Sequence, residues 1–175
     1  MLIGIISDTH IPTQARALPE QVHAAFQGVH LILHGGDIFA LSVLDELERQ
    51  APVLAASGDD DDPSINDPRV KEKHLLDLEG FRLCLLHQMP PEVFRSWMLG
   101  TDEMAGFRDG IDILVTGHSH KPNIDRAQGM LLISPGSATM PNYDLRPGTV
   151  ALLRLSPGKA NAEIIDLGKI PLTRP

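Results

Sequence analysis

The sequence predicts an α/β protein of two facing sheets with helices on the outside, forming a single domain over residues 1–175. Three observations carry this expectation. Short apolar runs alternate with helix-spaced segments in the first part of the chain, which is the pattern of parallel strand–helix–strand units. From Val70 onward the pattern becomes mainly strands separated by turn residues. At 175 residues the chain can bury a sizeable core.

Leu2–Ile6 is a short Ile-rich run read as a buried strand. A helix follows over Pro19–Gln27, with Pro19 in its first turn. His30–Leu33 is the next strand, stopped by Gly35-Gly36. Leu41–Gln50 is helical, with Leu41, Leu44 and Leu47 on one face. Pro52–Ala56 is a third strand, ended by Ser57-Gly58. Val70–Leu78 and Phe81–Leu86 flank a turn at Glu79-Gly80. Helices are expected over Pro91–Leu99 and Asp102–Arg108, then a buried strand over Ile111–Val115. Ile124–Arg126, Met130–Ile133, Thr149–Leu155 and Ala162–Leu167 read as strands, with a hairpin at Ser156-Pro157-Gly158-Lys159. Met89, Phe94, Trp97 and Met98 form an apolar stretch read as core or lid packing; a substrate wall or a subunit contact, and so a homo-oligomer, is the alternative.

The formal net charge is −8, with apolar content ordinary for a globular protein. That balance argues against a nucleic-acid or anionic-membrane surface as the main partner, because both need a basic footprint. Bound divalent cations would offset part of the charge locally. The single cysteine, Cys84, allows no intramolecular disulfide and lies in an apolar run, so it reads as a buried strand thiol. No signal peptide or membrane span is visible, and the expected location is the cytoplasm.

The chemistry lies in where Asp and His fall. Asp8 and His10 follow the first strand, Asp37 the second and Asp59 the third. His87 follows Phe81–Leu86, and His118 and His120 follow Ile111–Val115. In open α/β sheets ligand sites form at such strand ends, where loops distant in sequence converge. Asp8/His10 and His118/His120 are i, i+2 pairs, which point to the same side of an extended segment. Glycine directly precedes Asp37, Asp59 and His118, permitting close backbone approach. Taken singly, each of these residues is an ordinary loop residue; together, in order and at strand ends, they read as a metal centre. His23, His30 and His74 read as helix-surface or strand residues, and His34 is left open.

Carboxylate and imidazole ligands suit Mn, Fe, Zn, Co or Ni, with Mn the first expectation. Seven candidates exceed one four-ligand site and suit two divalent ions sharing a bridging carboxylate. Two such ions about 3.5–4 Å apart clamp an in-line displacement at phosphorus, with bridging water attacking as hydroxide. The expected substrate is a small phosphoester.

Ser7-Asp8-Thr9-His10, Gly35-Gly36-Asp37, Gly58-Asp59-Asp60-Asp61, His87 and Gly117-His118-Ser119-His120, in that order, resemble the calcineurin-like metallophosphoesterase superfamily. Ser134-Pro135-Gly136-Ser137-Ala138-Thr139, with Pro141, resembles a motif of its small bacterial and archaeal phosphodiesterases. The resemblance runs from residue 2 to about residue 155. It implies a metallophosphatase-type β-sandwich of two mixed sheets flanked by helices, in four layers α/β/β/α. It also implies that Asp8, His10 and His120 hold one metal, Asp59, His87 and His118 the second, and that Asp37 bridges them.

Three positions depart from the family pattern. Asp59 stands where Asn is usual and adds a negative charge to the site. Asp60 stands where many members place a leaving-group His, and would be a weak acid in that role. Gln88 follows His87 where Gly is common. The scarcity of Arg and Lys beside the ligand motifs, with Lys121 nearest, leans toward diesters over monoesters. The competing expectation is a catalytically weak scaffold, since a eukaryotic trafficking subunit shares this fold. The His-x-His-x-Asp-His run of metallo-β-lactamase-type hydrolases is absent.

Overall fold

A computed structural model describes residues 1–99, 110–127 and 129–171. Eleven strands form along the described chain. They are β1 (Leu2–Ile6), β2 (Leu31–His34), β3 (Val53–Ala56), β4 (Val70–Lys71), β5 (Lys73–Leu78), β6 (Phe81–Leu86), β7 (Ile113–Val115), β8 (Pro122–Ala127), β9 (Met130–Pro135), β10 (Thr149–Ser156) and β11 (Lys159–Asp166). Three helices join them: α1 (Glu20–Ala25), α2 (Leu41–Glu48) and α3 (Pro91–Leu99).

The first sheet has the order β11-β10-β1-β2-β3-β4 and the second β5-β6-β7-β9-β8. β1 to β4 pair in parallel, while β10 and β11 add antiparallel strands on the other flank. In the second sheet β6, β7 and β9 are parallel and the edges are antiparallel. Both sheets are therefore mixed, and they face each other as expected.

Three apolar layers hold the sandwich. Ile3, Ile5, Leu31 and Leu33 of the first sheet meet Leu83, Leu85, Ile113 and Val115 of the second. Ile6 and Ile32, one residue out of phase with that set, point the other way toward Val22, Phe26, Leu44 and Leu47. Such two-sided burial explains why the central strands read as continuous apolar runs. Gly4 belongs to this packing: a Cβ there would come within 2.9 Å of the Phe26 ring. Cys84, Leu86, Leu114 and Leu132 form the third layer with Val93 of α3. Burial pushes the Cys84 thiol up to about 11, in keeping with a strand thiol rather than a nucleophile.

Two expectations need correction. Val70–Leu78 is not one strand: it breaks at Glu72, so Val70–Lys71 extends the first sheet and Lys73–Leu78 the second. β3 offers only four residues and its pairing ends at Ala56, after which the chain crosses to β6. His74 fastens that crossing through Nε2 and the Ala55 carbonyl, 2.9 Å apart. Second, of the readings open for Phe94 and Met98, core is excluded and lid packing is not: they are 48% and 63% exposed, because α3 turns Val93 and Ser96 inward instead. The Asp102–Arg108 helix and the Trp97 side chain lie outside the described residues. Among the described residues no helix is long and apolar enough to cross a membrane.

Candidate metal centre

The C-terminal ends of β1, β2, β3, β6 and β7 converge at one edge of the sandwich and carry the seven predicted residues there. Asp8, His10, Asp37 and His120 each present a ligand atom within 4.8 Å of the others. Asp59, His87 and His118 form a second such group. The groups touch through Asp37, whose Oδ2 is 3.6 Å from His10 Nε2 in the first and 3.4 Å from His87 Nε2 in the second. His118 joins them again, its backbone N–H donating to Asp8 Oδ1 at 2.9 Å while its ring Nδ1 sits 3.1 Å from Asp59 Oδ1.

The backbone is bent to achieve this. Asp8, His10, Asp37, His118 and His120 all have positive φ, between 46° and 67°, a conformation costly for side-chain-bearing residues. Hydrogen bonds hold it in place. The Asp8 and His10 N–H groups donate to the carbonyls of Gly36 and Asp37, each at 3.0 Å. Ser137 Oγ donates to the Asp8 carbonyl at 2.7 Å and Thr139 Oγ1 to the Thr9 carbonyl at 2.9 Å. The Ser134–Thr139 segment thus clamps the first ligand loop. At Gly58 any Cβ would collide with the Asp37 amide and carboxylate, so the glycine is what lets the Asp59 loop approach.

Two of the imidazoles are fixed by backbone carbonyls. His87 Nδ1 stands 2.7 Å from the Gly35 carbonyl and His120 Nδ1 3.0 Å from the Met140 carbonyl. A carbonyl only accepts, so each Nδ1 carries the proton and each Nε2 faces inward. His10 Nε2 and His120 Nε2 face each other at 3.2 Å. Asp8 Oδ2 and His87 Nε2 are buried without an aligned hydrogen-bond partner. Converging lone pairs and unsatisfied buried acceptors are what a cation would relieve, and the carboxylate–imidazole set fits a pair of divalent ions.

Burial and mutual proximity shift the protonation of these groups. Burial pushes the Asp8 carboxyl up to about 6 and raises Asp37 as well. Burial lowers His10. Burial works against protonated His87, yet Asp37, the Gly35 carbonyl and Asp8 hold it above its ordinary value. Desolvation of Asp59 is outweighed by its own backbone N–H and His118, which keep that carboxyl low.

His34, left open by the sequence, supports the loop. Its Nδ1 accepts the Gly36 N–H at 3.2 Å and its Nε2 pairs with Thr9 Oγ1 at 3.1 Å, so both nitrogens are engaged. Burial holds it neutral, down to about 3. Asp60 sends its backbone N–H to Asp37 Oδ1 at 3.1 Å and leaves its carboxylate exposed beside Asp59.

Five residues escaped the sequence reading. Asp61 is buried, and its carboxylate accepts the backbone N–H groups of Asp37, Ile38, Phe39 and Gly58 at 2.7–3.1 Å. The ring of Tyr143 stacks on His120 with centroids 4.5 Å apart, and Phe39 tilts against His10 at 5.0 Å. Lys71 and Lys73 reach the site through the crossing between sheets, lining a cavity of about 680 Å³ together with Asp59 and His87. Lys121, the nearest cation by sequence, lines a different cavity of about 610 Å³ that opens at His118.

Fold and site together define a metallophosphoesterase-type chain. It belongs to the calcineurin-like phosphoesterase superfamily, whose domain model matches residues 1–158. A probable metallophosphoesterase of Methanothermobacter thermautotrophicus is 41% identical over 169 residues, covering 96% of this chain and 94% of that one. Another from Methanocaldococcus jannaschii is 35% identical, covering 95% and 82%. Among solved structures, Vacuolar Protein Sorting 29 of Cryptosporidium parvum superposes with a TM-score of 0.73 at 25% identity, covering 94% of this chain and 96% of that one.

Proposed function

We propose that the protein is a binuclear, metal-dependent phosphoesterase acting on small phosphodiesters. The observation that carries this reading is the division of seven ligand atoms into two groups joined at Asp37 Oδ2. Asp8, His10 and His120 would hold one ion, Asp59, His87 and His118 the other, and Asp37 both. Mn is the first candidate, with Fe, Zn, Ni or Co compatible with the same ligands. Two bound divalent ions supply Lewis acidity toward the phosphoryl oxygens and a nucleophilic water at neutral pH.

The chain's own residues set how that chemistry runs. The Gly35 and Met140 carbonyls fix the imidazole tautomers so that each Nε2 is available. Asp8, Asp37 and Asp59 contribute three carboxylates, so two divalent ions with one hydroxide would sum to formal neutrality. The site then attracts an anion less than one with Asn at position 59 would. Asp60 is the group proposed to hand a proton to the leaving oxygen. Only its protonated form could do so, and no histidine stands at that position, so esters whose leaving groups need no proton should react best. The preference for diesters rests on the absence of arginine from the lining of both cavities among the described residues; Lys71 and Lys73, which line the cavity at Asp59 and His87, weaken it, since they could meet a dianion.

The alternative is a scaffold that kept the fold for protein contacts, as the likeness to Vacuolar Protein Sorting 29 suggests. Four histidines facing carboxylates favour the enzyme. The test is hydrolysis of bis-p-nitrophenyl phosphate and p-nitrophenyl phosphate by chelator-stripped protein during Mn²⁺ titration. Turnover of the diester that returns with metal and is lost in His118→Ala supports the reading. Absence of turnover with Mn, Fe, Zn, Ni and Co in turn would give the fold to the scaffold.

A further inference from the structure

We propose that the cavity beside His118 is the pocket for one ester arm of the substrate, and that this arm is uncharged and ring-bearing. The inference rests on the phosphoesterase reading and adds the substrate class to it.

Position comes first. The cavity begins at His118, one of the second ligand group, and runs between α3 and the outer face of the second sheet. An arm attached to a phosphorus held at the two ligand groups would enter it directly. Its volume of about 610 Å³ falls within the usual range for small-molecule sites, about 300–1,000 Å³.

Chemistry comes second. The floor is the buried apolar surface of Leu114 and Leu132, and the wall is the half-exposed ring of Phe94 with the exposed thioether of Met98. A ring edge and a thioether favour a planar aromatic partner over a flexible chain. Among the described residues no carboxylate and no arginine lines the cavity, and Lys121 is its one permanent cation. The cavity at Asp59 and His87 differs, with Lys71, Glu72 and Lys73 in its lining. The two cavities are therefore chemically unlike: the one at His118 is mainly apolar with Lys121 and neutral polar groups at its rim, and the other carries three charged side chains. A concave pocket with a buried floor, ending at the reacting centre, suits a substrate arm better than the face of another protein.

Phenylphosphonate and methylphosphonate test this directly. They carry the same anionic anchor on a bond that hydrolysis does not cleave, and differ only in the arm. Calorimetry on the Mn²⁺-loaded protein should find the phenyl compound about tenfold tighter, consistent with burying a ring's apolar surface. In Phe94→Ser combined with Met98→Ser the ratio should fall below about threefold. The melting temperature of the variant is measured alongside to show that it is folded. Equal affinities in the parent protein, or an undiminished ratio in the variant, would overturn the pocket and leave that face to a protein partner. Turnover of bis-p-nitrophenyl phosphate without arm selectivity overturns the pocket alone. Selective phosphonate binding without any turnover overturns the esterase reading and upholds the pocket's ligand class.

Discussion

The Asp61 carboxylate accepts the backbone N–H of Asp37 at 3.1 Å through the same oxygen that accepts the Gly58 N–H at 2.7 Å. One buried side chain thereby ties the loop after β2 to the loop after β3, and with them the two ligand groups. Asp61→Ala leaves up to four backbone donors without their acceptor. The expected loss is about 3 kcal/mol or more of stability, together with weaker metal binding. Thermal unfolding and a metal titration measure both, and a loss under about 1 kcal/mol with unchanged metal affinity contradicts the role.

Metal removal should destabilise the fold. His10 Nε2 and His120 Nε2 face each other at 3.2 Å and His87 Nε2 lies 2.7 Å from Asp59 Oδ1, contacts that a cation between these groups would replace with stronger ones. A ligand present at a hundred times its dissociation constant stabilises by about 2.7 kcal/mol. Chelator should therefore lower the melting temperature, by about 5–10 °C for a chain of this size, and Mn²⁺ should restore it. The same shift persisting in His10→Ala/His87→Ala would place the responsible cation elsewhere.

Asp59→Asn removes one negative charge from the site and substitutes a neutral oxygen ligand. Bis-p-nitrophenyl phosphate turnover should rise several-fold, or the order of preference among Mn, Fe and Zn should change, because the site then holds an anion more strongly. An unchanged rate with an unchanged metal profile counts against the charge argument.

Far from the centre, Arg69 anchors the edge of the first sheet to α2. Its guanidinium contacts Asp67 and Asp45 at 2.8 Å and Glu48 at 2.9 Å. Hydrogen bonding to Arg69 holds the Asp67 carboxyl below its ordinary value. A carboxyl lowered in the folded state stabilises above its unfolded pKa, and that contribution disappears as the pH falls through the folded value. Arg69→Gln should thus cost about 1 kcal/mol at pH 7 and progressively less below about pH 4. Urea unfolding of both proteins across pH 3–7 checks it, and a difference constant down to pH 3 contradicts the pairing.

The gathering of these seven Asp and His residues was legible in the sequence because each follows an apolar strand directly, so the strand ends brought them together. The alternating first half fixed the helix-flanked sheet for the same reason. Asp61 was hidden inside the acidic run Asp59–Asp62, where nothing local separates a buried acceptor of backbone N–H groups from a solvated carboxylate. Lys71 and Lys73 were missed because their place depends on the chain crossing between sheets at Glu72, which no periodicity marks. For Phe94 and Met98 the apolar character left core, lid packing, substrate wall and subunit contact open, because the face α3 turns inward is decided by the Val93 contact with the second sheet.

The most direct test of the central claim is turnover followed against metal content. Chelator-stripped protein is loaded with Mn²⁺ in steps, and bound metal per chain is measured beside bis-p-nitrophenyl phosphate hydrolysis. The two-group site predicts two ions per chain, with hydrolysis rising as the second is filled and lost when His118→Ala holds only one. Full turnover with one ion, or with none, would contradict it.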